Sequence, residues 1–120
     1  MLKRITILFV SVALSILWGT TTFAEGSFVL KRIKERGTIN MGHRESSVPF
    51  AYIGSDGKPI GYSIDLCMKV IDAVKNEIGV SNLKINYVPV TSQTRIALMA
   101  NGTIDIECGS TTNNLTRQKQ

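Results

Sequence analysis

Two hydrophobic periods alternate along this chain, and that alternation restricts the fold more than any other feature. Thr38-Ile39-Asn40-Met41-Gly42, Lys84–Val90 and Ile104–Cys108 are short runs of strand character. The stretches around them repeat apolar residues every three and four positions, the spacing of one helix face. Phe28, Val29, Leu30 and Ile33 mark a short amphipathic helix that Gly37 stops. Cys67, Ile71, Val74 and Ile78 mark a second, with Leu66 and Val70 beside them, Ser63 as its expected cap and Gly79 as its stop. Between the first strand and the second helix, Ala51-Tyr52-Ile53 and Pro59-Ile60-Gly61-Tyr62 flank Gly54-Ser55-Asp56-Gly57-Lys58, the turn chemistry of a hairpin. Strands separated by helices must run parallel, because the helix carries the chain back to the starting edge. The order β, hairpin, α, β, α, β therefore predicts an α/β fold, a mostly parallel sheet with helices on both faces.

The residues that can carry chemistry gather around Thr91–Asn114. Thr91 or Ser92 can cap a helix whose apolar body is Ile96, Leu98 and Met99 and whose stop is Gly102. Arg95 stands in the first turn of that helix, where the macrodipole favours an anion and disfavours a cation. An arginine kept there points to an anionic partner. The strand that follows delivers Gly109-Ser110-Thr111-Thr112 to the end of the sheet, where open α/β folds bind ligands. Gly109 exposes backbone N–H groups beside the Ser110 and Thr112 hydroxyls. Arg44 follows the first strand and shares its loop with Glu45, Ser46 and Ser47. Two arginines after two parallel strands face one crevice, and each guanidinium fork matches a carboxylate. Ser92, three residues before Arg95, lies on the same helix face. Read blandly, Arg44 is a loop arginine paired with Glu45, and Ser110 and Thr112 are turn residues.

Other chemistries lack their residues. His43 is the single histidine, so a histidine zinc set or a His-based triad is not available, and a hydrogen-bonded structural imidazole is expected. Glu45, Asp105 and Glu107 come without a nucleophile or a metal context. Asp105 and Glu107 share one strand face and are expected to be hydrogen-bonded at a sheet edge or hinge. Asn101-Gly102-Thr103 and Asn114-Leu115-Thr116 have glycosylation-acceptor spacing but read better as helix caps.

Met1-Leu2-Lys3-Arg4, the apolar run Ile5–Trp18 and small residues before Ala24 form a secretory signal peptide, with cleavage expected after Ala24. Residues 1–24 are thus a leader and 25–120 the exported part. Loss of Lys3 and Arg4 lowers the formal charge from +5 to +3 over 96 residues. That balance is mild and scattered, without the basic blocks of a nucleic-acid surface. Cys67 and Cys108 both lie in the exported part, an even count in an oxidising compartment. Both fall near the carboxyl ends of the strands, so a disulfide and two buried thiols are both open readings. The chain ends one turn into a new helix capped by Asn113 or Asn114, which reads as the front part of a longer protein.

The segments G-H-R-E-S-S-V-P-F, G-Y-S-I-D-L, T-S-Q-T-R and N-G-T-I-D-I-E-C-G-S-T-T-N-N-L-T-R-Q-K-Q closely resemble the glutamate/aspartate periplasmic binding proteins. These belong to the polar amino-acid solute-binding proteins of ABC transporters. The resemblance runs from about Leu30 to the end, and implies a periplasmic-binding-protein-like (type II) lobe, here the incomplete first of two. It implies that Arg95 holds the ligand α-carboxylate with help from Thr112, and that Ser110 contacts the α-amino group. Arg44 and Ser92 would bind the side-chain carboxylate, and Phe50 would pack against the ligand. The implied partners are an acidic amino acid and an inner-membrane ABC permease; no cofactor, metal or nucleic acid is implied, and the location is the periplasm. Dehydratase-like enzymes and sensor ectodomains use related scaffolds and are the competing classes.

Overall fold

The computed structural model describes residues 25–119. The leader and the expected cut after Ala24 lie outside the described residues. Helix α1 (Glu25–Arg36) leads into strand β1 (Thr38–His43). A small antiparallel sheet follows, made of β2 (Ser46–Ser47), β3 (Ala51–Ile53) and β4 (Pro59–Ile60). Next come α2 (Tyr62–Ile78), β5 (Lys84–Pro89), α3 (Arg95–Ala100) and β6 (Ile106–Cys108), then a 3-10 turn at Arg117–Lys119. The main sheet has the order β5-β1-β6, all parallel, so the α/β architecture expected from the alternating periods is the one observed.

Register brings the three strands to a common end. His43 pairs with Pro89 on one side and with Cys108 on the other. The loops after β1, β5 and β6 therefore leave the sheet at the same level. The crossover from β1 to β5 runs one way across the sheet, and that from β5 to β6 runs back past β1. Right-handed connections then place α2 and α3 on opposite faces. Side chains follow this division: Ile39 and Met41 enter the core with Ile33, Ile64, Cys67, Ile71 and Ile78, while Gly42 points the other way. A methyl group on Gly42 would meet Ile104 and Val90, the residues that bracket α3.

The α2 helix buries Ile64, Cys67, Ile71 and Ile78, one stripe at helical spacing. Ile71 is fully enclosed, worth about 1.5–3 kcal/mol of apolar burial. Leu66 and Val70, beside that stripe in the sequence, are about half exposed. Ser63 does not cap α2. The Ser63 and Tyr62 N–H groups donate instead to the Phe50 and Pro49 carbonyls, at 2.8 and 3.0 Å. This close approach depends on Gly61, whose φ of 126° is left-handed and whose added Cβ would sit 2.5 Å from the Phe50 oxygen. The hydroxyl of Ser63 is thereby free for another task, described below.

Three further differences have local causes. Ser46 and Ser47, expected in a loop, pair with Tyr52 and Ala51 because the hairpin offers them an antiparallel edge. The last strand begins at Ile106 rather than Ile104: the Asn40 N–H of β1 donates to the Asp105 side chain, where a strand would offer it a backbone carbonyl. The α3 helix begins at Arg95, three residues later than a helix capped at Thr91 would. Even so, the Thr91 hydroxyl accepts the Gln93 and Thr94 N–H groups, so it does organise the turn that feeds α3. Asn101 and Asn114 use their side chains to accept local N–H groups, from Thr103 and Arg117 respectively.

Asp105 holds the base of the domain together. Its side chain is fully buried and accepts from Arg32 at 2.8 Å, from Arg36, and from the Asn40 N–H at 2.8 Å. Two arginines of α1 and one strand amide thus meet at a single carboxylate. The sequence pattern suggested hydrogen bonding for Asp105, but not these partners, which lie more than 60 positions away.

Candidate functional site

The common carboxyl edge of the three strands collects the polar residues of the chain. Arg44 comes directly after β1. Its Nη1 donates to the Ser92 hydroxyl at 2.5 Å, joining the loop after β1 to the loop after β5. The stem of Arg44 runs over Gly109, which follows β6: an added Cβ there would be 2.9 Å from Arg44 Cγ and would overlap the Glu107 carboxylate. Any residue larger than glycine at 109 would displace one or the other.

Arg95 is the most constrained member. The residue is 5 % exposed, yet its Nε and Nη1 donate no hydrogen bond among the described residues. The facing carboxylate is Glu107, whose Oε1 is 3.8 Å from Arg95 Nη1 and is itself without a hydrogen-bond partner. That distance is an ion pair without a hydrogen bond. Leaving buried charged groups short of hydrogen bonds costs several kcal/mol. The helix start disfavours a cation, and the guanidinium is in addition held buried with donors to spare.

The third wall is the segment after β6. Ser63 Oγ donates to the Gly109 carbonyl at 2.7 Å, so the start of α2 fixes the path of this segment. Ser110 Oγ donates to Ser47 Oγ at 3.4 Å, a long contact between exposed hydroxyls. The Thr112 carbonyl accepts from Arg117 at 2.9 Å, leaving the Thr112 side chain exposed. Phe50, Tyr62, Ser63 and residues 109–112 line an open recess of about 420 Å³. Phe50, 43 % exposed, supplies its apolar side. Thr111 adds a buried hydroxyl oxygen with no partner.

Arg44, Ser92, Arg95, Ser110, Thr112 and Phe50 therefore all lie on one edge of the fold, linked through Gly109 and Glu107 or around the recess. The sequence pattern suggested Ser63 as a cap, Ser47 as a loop residue and Glu107 as hydrogen-bonded, whereas all three belong to this edge and Glu107 Oε1 has no hydrogen-bond partner among the described residues. The two-residue spacing of Asp105 and Glu107 was visible, but not that they serve different arginines. His43 is buried, with Nδ1 3.4 Å from the Arg44 carbonyl and its ring edge-on to Tyr87, as a structural imidazole would be.

Cys67 of α2 and Cys108 of β6 are joined as a disulfide, with their Cα atoms 6.1 Å apart. It sits directly below Gly109 and ties the helix bearing Ser63 to the strand bearing Glu107. Among the described residues no helix is long and apolar enough to cross a membrane.

Comparison with known proteins places this geometry in context. Residues 39–120 match the family described as bacterial extracellular solute-binding proteins, family 3. The chain is 64% identical over 92 residues to the L-glutamate/L-aspartate-binding protein of Pseudomonas aeruginosa, covering 76% of this chain and 30% of that one. It is 50% identical over 97 residues to the glutamate/aspartate import solute-binding protein of Escherichia coli, covering 81% of this chain and 32% of that one. The chain thus spans about a third of the length of these relatives. Among solved structures, an ancestral cyclohexadienyl dehydratase superposes with a TM-score of 0.64 at 30% identity, over 76% of this chain and 35% of that one.

Proposed function

Because the chain belongs to the bacterial extracellular solute-binding proteins of family 3, we propose that it forms one wall of a cleft that captures glutamate or aspartate for import. The observation that carries this reading is Arg95: a buried guanidinium at the carboxyl edge of the sheet, with two nitrogen donors unused. A buried cation left short of acceptors is completed by an anion, and the guanidinium group is one that a carboxylate matches. Arg44 offers a second fork at the same edge, already oriented by Ser92. Two forks suit a ligand with two carboxylates, and relatives at 64% and 50% identity are binding proteins for glutamate and aspartate.

In this reading Arg95, with Thr112, holds the α-carboxylate and Ser110 receives the ammonium group. Arg44 and Ser92 hold the side-chain carboxylate, and Phe50 packs on the ligand's carbon chain. The protein acts by binding alone: it is exported to the periplasm, encloses the ligand as a second lobe closes, and presents it to an inner-membrane ABC permease. The test is calorimetric titration of the full-length protein and its Arg44→Ala and Arg95→Ala variants with glutamate, aspartate and glutamine. Arg95→Ala removes the clamp on a group every amino acid carries, so all three ligands lose affinity together. Arg44→Ala leaves the second carboxylate without its counter-charge, at about 2–5 kcal/mol, and glutamine is affected far less. Equal losses for glutamate and glutamine in both variants would refute this division.

An elimination enzyme on the same scaffold is the second reading, favoured by the structural likeness to an ancestral dehydratase. Its acid would be Glu107, the carboxylate facing Arg95 at this edge. Proton NMR of glutamate held with the full-length protein separates the two: the binding reading requires the ligand to persist unchanged.

A further inference from the structure

Two sides of the open recess meet at one residue. Ser63 donates its N–H to the Phe50 carbonyl at 2.8 Å and its hydroxyl to the Gly109 carbonyl at 2.7 Å. Phe50 forms the apolar side of the recess, and Gly109 leads into its polar side, residues 110–112. Ser63 is firmly seated: Ile64 beside it is buried, and Cys67, one turn farther along α2, is bonded to Cys108. The disulfide fixes where the polar segment starts. It leaves open the direction in which that segment departs, because the next residue is glycine. A Cβ at 109 would meet Arg44 and Glu107, so the position excludes other residues. Glycine in turn brings the widest backbone freedom of any residue to the point where the segment begins.

We infer that Ser63 is a positioning residue of the binding edge: its hydroxyl removes the freedom that Gly109 introduces and sets the polar wall against Phe50. This rests on the reading above, in which Phe50, Ser110 and Thr112 contact an acidic amino acid. A trans peptide is planar, with its C=O and N–H pointing opposite ways. Holding the Gly109 carbonyl against α2 therefore fixes the direction of the Ser110 N–H and the point from which the Ser110 side chain springs. The other attachments of the segment are looser or more distant. Ser110 Oγ lies 3.4 Å from Ser47 Oγ, and Arg117 reaches the Thr112 carbonyl from five residues along the chain. Without the Ser63 hydroxyl the ligand itself has to order the segment, and affinity falls with the fraction of molecules in which the segment is correctly placed. The one hydroxyl proton of Ser63 is spent on Gly109, so its action reaches the ligand through that segment.

The test is calorimetric titration of glutamate into the full-length wild-type protein, its Ser63→Ala, Ser63→Thr and Ser110→Ala variants, and the double variant Ser63→Ala with Ser110→Ala. Urea unfolding shows that each compared protein is folded. Alanine keeps the N–H bond to Phe50 and loses only the hydroxyl, whereas threonine keeps both. Ser63→Ala should weaken glutamate binding by about three- to tenfold, the range of one hydrogen bond. Ser63→Thr should recover most of that loss. The double variant should lose less than the two single losses multiplied, because both substitutions act through one segment. A purely structural role would leave the losses multiplicative. Unchanged affinity in Ser63→Ala, no recovery in folded Ser63→Thr, or multiplicative losses in the double variant overturns the inference and leaves the functional reading in place. A wild type that does not take up glutamate overturns that reading, and this inference with it.

Discussion

Replacing Asp105 by alanine tests whether one buried carboxylate organises the lower half of the domain. Three donors lose their acceptor. Arg32 and Arg36 keep side chains about one third exposed (31 % and 33 %), so water recovers much of what each loses. Each pair is then worth about 1 kcal/mol or less. Arg36 also retains the Thr38 carbonyl, at 2.9 and 3.0 Å from two of its nitrogens. The Asn40 N–H fares worse, since its acceptor disappears from the middle of the fold, at a cost of about 1–2 kcal/mol. The total is about 3 kcal/mol. Urea unfolding followed by circular dichroism measures the change, and hydrogen exchange locates it in α1 and β1. Asp105→Asn should recover part of the loss, because one amide oxygen still accepts from Asn40. Salt at about 1 M should leave most of the effect in place, since the carboxylate is fully buried and poorly screened. A change below about 0.5 kcal/mol for Asp105→Ala would show that α1 docks through its apolar residues alone.

Gly61→Ala should destabilise the protein by more than a surface substitution does, because both the left-handed φ and the Phe50 and Pro49 carbonyls oppose a side chain there; a normal urea midpoint would refute the close approach. Ile71→Ala, at a fully enclosed position, should cost about 2–5 kcal/mol by the same measurement. Thiol labelling of the denatured, unreduced protein should find Cys67 and Cys108 both blocked, and reduction should cost up to about 4 kcal/mol for a loop closed over 41 positions. Full labelling without reductant would remove the disulfide. Gly109→Ala should weaken glutamate binding well beyond its effect on stability, because its methyl group displaces Arg44 or Glu107; unchanged affinity would separate these side chains from the ligand.

The fold class was readable from the chain because helix and strand periods are local properties. Ile39 and Met41 announce a strand, and Cys67, Ile71 and Ile78 a helix face, whatever lies around them. Glycine stops at Gly37, Gly79 and Gly102 divide the elements for the same reason. The oddity of Arg95 was equally local, a cation at the wrong end of a helix. What tertiary structure alone decided is who meets whom across long separations. Ser63 looked like a cap and became a donor to Gly109, because two carbonyls from the turn between β2 and β3 accept the helix N–H groups. Asp105 and Glu107 looked equivalent two residues apart, yet one is saturated by α1 and the other is left short of donors beside Arg95. Side-chain periodicity records which face a residue lies on. It carries no information about which distant donors arrive there, because that depends on strand register and on the level at which three loops leave the sheet.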